Sequence, residues 1–374
     1  MKSERTDEVD FIRALALVGI CIVNVPFMAL PIENAFLVPQ AGIDRMAAFF
    51  VESFFQLKFF LLFSFLFGWG FGVQEASAHR RGLSFRRFYF GRISALAVFG
   101  GLHAVLVFTG DILLLYALLG ALLWQMRRKA PSELMKIAYL MVPVSLLSLS
   151  TLAILVDEFV LVENGLAGGE GYHLAGGFLA ASIGRLHEWP ATFSFLLLLQ
   201  GPLAMGAFCT GLVAQRTGFF RRDSEGFKAL EKYVPVLLVV AVPTNVLYGA
   251  TTSGLLAFSR EWPDFIGFIG VGIGAPALAA VYLYCFIRAA RRFSIPRLLT
   301  LAGRNSLSVY IFQGVLTGLV FGGYGLGLFN EHGPFSLLFI SVAIAFISIV
   351  CIGVYASLFG RGPLEPILRK ASGF

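Results

Sequence analysis

A chain of 374 residues with 57% apolar and 14% charged side chains has too little polar surface for a water-soluble fold of that length, so lipid is its solvent. Its net charge of +7 is spread over basic clusters that flank apolar runs, which argues for anionic lipid headgroups and against nucleic acid as a partner. Cys21, Cys209, Cys285 and Cys351 fall inside apolar runs without paired spacing, so neither a disulfide framework nor a metal site is expected.

Crossing a hydrocarbon core of about 30 Å takes roughly 20 helical residues. Ten apolar runs are candidates, at 11–31, 50–73, 89–109, 112–126, 134–156, 191–215, 233–252, 264–288, 304–328 and 335–359. The expected fold is all-α and polytopic: one transmembrane domain over 1–374, with an exterior loop at 157–190 and a tail at 360–374. Of the 29 Lys and Arg, all but Arg45, Lys58, Arg185 and Arg260 fall on the side that also carries the N-terminus. That side is therefore cytoplasmic, and both termini face in. The long loop holds Asp157, Glu158, Glu163, Glu170 and Glu188 against Arg185, which suits the exterior.

The first run follows Glu4, Asp7, Glu8 and Asp10 and ends at Leu30-Pro31 without a small-residue cleavage site, so it reads as a retained helix. Arg13 and Asn24, eleven positions apart, share one face to within about 20°. Arg13 is either an interfacial anchor paired with Asp10 at i, i+3 or a binder of an anionic group such as a coenzyme phosphate. The second run is dense in Phe, read as lipid-facing bulk; its Gly68, Gly70 and Gly72 permit close helix approach. Lys58 is expected to snorkel to the outer surface.

A charge at mid-membrane costs about 2.5 to 3.5 kcal/mol on insertion scales, so a polar group there needs a partner, a wet cavity or a task. His103 lies roughly 20 Å into the third helix from its cytoplasmic start. The fourth run is short, so the Gly110-Asp111 turn stays recessed and places Asp111 near His103. Asp111 reads as a helix cap, alone or with a functional role, and His103 as a satisfied interhelical group or a general base oriented by a carboxylate. In the later runs, Pro243 with Asn245 and Gly274 with Pro276 mark kinks. Arg304 and Asn305 open the ninth run and could contact phosphate, and Gln313 suits an interhelical hydrogen bond. No inverted internal repeat is evident.

Several stretches resemble the YeiB-like family of bacterial membrane proteins, domain of unknown function 418. They are Val9-Asp10-Phe11-Ile12-Arg13, Val23-Asn24, Phe63 to Gly68, Gly101-Leu102-His103, Gly110 to Leu113, Gly303 to Tyr310, Gly325 to Leu328 and Gly362 to Glu365 with Arg369, in matching order along almost the whole chain. The resemblance implies a place among transmembrane acyltransferases, which move an acyl group from a cytoplasmic donor, often acetyl-CoA, to an acceptor across the membrane. Relatives with an Arg and a His eleven positions apart on helix one have a base where this chain has Asn24, and an amide cannot take a proton. Ala14 stands where the family usually has Gly.

The expectation is thus an acyltransferase of the bacterial inner membrane, with His103 as base and Asp111 stabilising its imidazolium. Arg13, Asn24, Arg304, Asn305, Gln313 and Arg361 would contact an acyl-CoA donor or the acceptor. Membrane lipids, a small-molecule or glycan acceptor and a second copy of the chain are the partners this reading admits. The competing expectations are a transporter or flippase, and a noncatalytic membrane scaffold, which would have no cavity of about 300 Å³ or more.

Overall fold

The computed structural model describes residues 7–40, 42–161, 174–256 and 263–371. Within them the chain is helical throughout: α1 (Asp7–Asn24), α2 (Pro26–Ala29), α3 (Ile32–Phe36), α4 (Gly42–Phe54), α5 (Lys58–Arg80), α6 (Phe85–Leu106), α7 (Leu113–Met126), α8 (Pro131–Leu161), α9 (Phe178–Arg216), α10 (Glu225–Thr252), α11 (Pro263–Arg292), α12 (Arg297–Arg304), α13 (Ser306–Phe321), α14 (Pro334–Phe359) and α15 (Glu365–Ala371). Eight stretches among the described residues are long and apolar enough to cross a bilayer, and α7 and α13 are shorter apolar helices. Together they account for the ten runs read from the sequence, and the chain is a polytopic membrane protein.

The two short helices matter most. At 14 and 16 residues they extend about 21 and 24 Å, less than a hydrocarbon core. The Gly110-Asp111 turn, with Asp111 buried, is enclosed by neighbouring helices, whereas the glycine-rich turn after Phe321 opens to the surface at Gly323, Gly325, Leu326 and Gly327. The ninth run, expected over 304–328, is thus shorter, with Asn305 separating α12 from α13.

The second run is not one helix. Leu57, a branched residue in the left-handed region with φ of 67°, breaks it between α4 and α5. Phe55 and Gln56 both donate to the Val51 carbonyl, so the Glu52 carbonyl loses its usual helical donor. The expected exterior loop is also shorter, because α8 continues to Leu161 and α9 starts at Phe178. Residues 162–173 of that loop, and Arg260, lie outside the described residues.

Close helix contact follows the glycines. A Cβ at Gly68 would strike the Phe208 backbone, and one at Gly211 the Phe65 backbone, so α5 and α9 meet main chain to main chain. Gly303 likewise lets α12 lie against the Asp10 carbonyl of α1. The phenylalanines of α5 pack inward, correcting their lipid-facing assignment: Phe59, Phe60 and Phe71 are buried, and Phe67 stacks on Phe208 at 4.6 Å between ring centroids. With bare glycine backbones beside them, bulky rings fill the space that small residues leave between helices.

Candidate functional site

The meeting of α1, α5, α6, α7, α13 and α15 leaves a cavity of about 690 Å³. Its mouth carries Arg13, Arg81, Arg92, Arg304, Arg361 and Arg369, and its interior is apolar, with Leu17, Phe63, Leu66 and Leu113 among the walls. Glu365 is the one acid in the lining, and its carboxylate accepts from the Ser308 amide at 3.1 Å and hydroxyl at 2.5 Å. Six guanidinium groups around an apolar shaft suit an amphipathic ligand with a phosphate-rich head.

Asp10, fully buried, organises two of these arginines. Arg13 donates to its Oδ1 at 3.1 Å and Arg304 to its Oδ2 at 3.4 Å. Arg13 therefore has both the i, i+3 pairing read from the sequence and a place in the cavity wall. Gly70 faces it without a side chain, its Cβ position 3.6 Å from Arg13 Nη2. Arg361 lines the mouth from the segment leading into α15.

At the deep end, Tyr310 of α13 forms the wall. Its hydroxyl donates to Asp111 Oδ2 at 3.2 Å, and the same oxygen meets His103 Nδ1 at 2.8 Å. Asp111 Oδ1 accepts the Leu113 amide at 2.7 Å, capping α7. One carboxylate thus serves as both helix cap and partner of an imidazole. With Asp111 ionised, a neutral His103 holds its proton on Nδ1 and leaves the lone pair at Nε2. Nε2 is buried and has no hydrogen-bond partner among the described residues. It faces the bare backbone of Gly314, where a Cβ would come within 2.5 Å. His103 and Asp111 do not themselves line the cavity; Tyr310 stands between.

Past His103, away from the arginines, lies a second chamber of about 20 Å³. Val107, Gly318, Gly322, Tyr324 and Arg185 are among its walls. Arg185, assigned by sequence to the exterior loop, is instead an α9 residue only 4% exposed. It donates to the Leu106 carbonyl at 3.0 Å and the Tyr324 hydroxyl at 3.2 Å.

Other expected site residues fall elsewhere. Asn24 ends α1, half-buried, and lines neither chamber. Gln313 makes the interhelical bond read for it, Nε2 to the Leu17 carbonyl at 3.3 Å, and its Oε1 has no partner. Asn305 lines the cavity, yet its amide is engaged at both ends: Nδ2 donates to Leu301 and Oδ1 accepts the Gly362 amide, each at 2.8 Å. It joins α12, α13 and the C-terminal segment, and these two bonds leave it one N–H and one lone pair.

Lys58 does not snorkel. It is 0% exposed, and its amine donates to the Glu52 carbonyl at 2.9 Å, the group orphaned by the break at Leu57. The Glu52 carboxyl group, hydrogen-bonded to Tyr248, is buried nearby. Sequence reasoning missed Glu52, and only the placement of the break reveals the need for Lys58. It also left Arg81, Arg92 and Arg369 as topology markers, because which loop arginines converge depends on helix packing.

Residues 214–374 match the family described as "Protein of unknown function (DUF418)". The whole chain is similar to "Uncharacterized protein YxaH" of Bacillus subtilis, 28% identical over all of this chain and 95% of the relative. It is also similar to "Uncharacterized protein YeiB" of Escherichia coli, 27% identical over 98% of this chain and 96% of the relative. No solved structure matches.

Proposed function

We propose, from the premise that this is a YeiB-like chain of the DUF418 family, that it is a transmembrane acyltransferase taking acetyl-CoA or another acyl-CoA as donor. One observation carries this reading: a buried imidazole, with Asp111 on Nδ1 and an unpartnered Nε2, sits one tyrosine ring from an arginine-mouthed cavity of about 690 Å³. The bound thioester supplies an activated acyl carbon. His103 takes the proton of an acceptor hydroxyl or amine at Nε2, and Asp111 stabilises the resulting imidazolium. The new C–O or C–N bond forms as the C–S bond breaks, and the proton passes to the departing thiolate. Tyr310 has to rotate off Asp111 for the acyl carbon to reach His103.

The arginines of the mouth belong to the basic, cytoplasmic side of the topology, which suits a soluble coenzyme. The relatives' bacterial sources support the inner membrane as location, with both termini in the cytoplasm. Acetyl-CoA is expected to raise the apparent melting temperature of the purified protein, and labelled acyl-CoA to release free thiol in the presence of membrane extract. An unchanged melting temperature at saturating acyl-CoA would exclude the donor assignment.

A second reading has its own support. The cavity and the small chamber are separated by Tyr310, His103 and Val107, a thin wall of the kind alternating access requires. A transporter or flippase would move substrate past that wall with no bond changed, so release of free thiol separates the two. A purely structural role is disfavoured by the cavity volume, which lies inside the range of about 300 to 1,000 Å³ of ligand sites.

A further inference from the structure

The Arg185 guanidinium is buried where charge is expensive, and no carboxylate among the described residues lies within ion-pair reach of it. Two of its five N–H groups are used, on Leu106 and Tyr324. The Leu106 carbonyl belongs to the last turn of α6, whose macrodipole offers roughly half a negative charge. A whole buried cation needs more than that. Lys58 makes the contrast: its carbonyl contact has the Glu52 carboxylate alongside, and the Arg185 contact has none.

A row of glycines runs from the chamber wall toward the imidazole. Gly314, Gly318 and Gly322 recur every four residues along one face of α13. Beside the first lies His103 Nε2, and beside the other two lies Tyr324, whose ring or hydroxyl would come within about 2.6 to 2.7 Å of an added Cβ. Val107 touches both ends, lying 2.8 Å from the Gly314 Cβ position and lining the Arg185 chamber. The buried Nε2, without a partner among the described residues, thus faces a row of glycines, covered by Val107 and Tyr324, that ends at an arginine with no carboxylate partner among the described residues. Elsewhere on α9, Leu179 and Leu186 are 73% and 52% exposed, an apolar surface suited to lipid.

We infer that this chamber is an acceptor subsite, in which Arg185 and Tyr324 hold one phosphate oxygen of a lipid-borne acceptor and direct its hydroxyl along the glycine track toward His103 Nε2. The volume of about 20 Å³ has room for one water-sized group, enough for a single oxygen. The acceptor role rests on the acyltransferase reading; the phosphate site itself does not, and its test needs no turnover.

The full-length protein in phosphatidylcholine nanodiscs would be titrated with phosphatidylglycerol in one arm and inorganic phosphate in the other, with melting temperature as readout. The expected result is a rise with the anionic lipid. Arg185→Gln should weaken the apparent affinity about tenfold or more, the scale of a lost charge-assisted hydrogen bond. Arg304→Gln, at the opposite mouth, should retain the response. If Arg185→Gln fails to fold, Gly318→Ala, whose Cβ would displace the Tyr324 hydroxyl that Arg185 bonds while keeping the guanidinium itself, should abolish the response. Equal action of inorganic phosphate would keep the anion site and move the acceptor into water. No shift by either anion, or a full lipid response in Gly318→Ala, overturns the proposal. Loss of acyl transfer with the lipid response intact would fault the reaction and leave the site standing.

Discussion

Two buried polar centres lie within this membrane domain, and they differ in what surrounds them. Around Lys58 the polar groups mostly turn to one another: the amine caps the Glu52 carbonyl at the α4–α5 break, the Glu52 carboxyl group lies nearby and bonds Tyr248, and its Oε2, without a partner among the described residues, has neither chamber beside it. Around His103 the set is left open on one side. Asp111 satisfies Nδ1, Tyr310 and an amide of α7, but Nε2 faces bare glycine backbone between two chambers. A charge can be kept in lipid to repair the backbone or to do chemistry. An unpartnered atom occurs in both centres, and the space adjoining it distinguishes the cases.

That contrast can be broken by substitution. The largest effect is expected for His103→Ala, which should lower the acyl-transfer rate of the folded fraction about 10²- to 10⁴-fold, on top of a stability loss from the Asp111 bond it removes; retention of full activity would remove the catalytic assignment. Lys58→Ala should do the reverse. It leaves the Glu52 carboxylate buried and uncompensated, a loss of about 3 to 5 kcal/mol in stability, while the folded fraction keeps its specific activity. Adding Glu52→Gln should recover part of that stability, and a Lys58→Ala protein as stable as wild type would show the pair to be dispensable.

Arg304→Gln sharpens the comparison at the mouth. It should raise the concentration of acyl-CoA needed for half-maximal stabilisation about tenfold and leave the lipid response at Arg185 untouched. The smallest effect is expected for Ser308→Ala, which releases the hydroxyl's bonds to Glu365 and to the Leu364 amide and loosens the C-terminal segment by about 1 to 2 kcal/mol. Hydrogen exchange confined to residues 360–371 would register it, and unchanged exchange there would show that the segment is held by other contacts.

Much of this arrangement is legible along the chain. The recessed Gly110-Asp111 turn follows from the shortness of the fourth run, and His103 is within hydrogen-bond distance of Asp111 because eight residues spanning a helix end and a turn bring them level. Arg13 pairs with Asp10 because i, i+3 neighbours meet on any helix. Asn305 and Lys58 were not legible. Each is consumed by a backbone group whose need arises at a helix break, and the break at Leu57 has no Gly or Pro to announce it. Tyr310 carried no signal of its own, since a tyrosine in an apolar run differs little from its neighbours until another helix presents a carboxylate to it.

Hydropathy and charge by themselves determined that this chain is a polytopic helical membrane protein and which of its ends are basic, because the bilayer imposes one length scale and one charge asymmetry on every segment independently. Only the tertiary structure decided which arginines converge on a cavity, which buried charge is already neutralised, and which nitrogen of one histidine remains free. Those properties belong to pairs of helices and the space between them, and a linear pattern has no coordinate for that space.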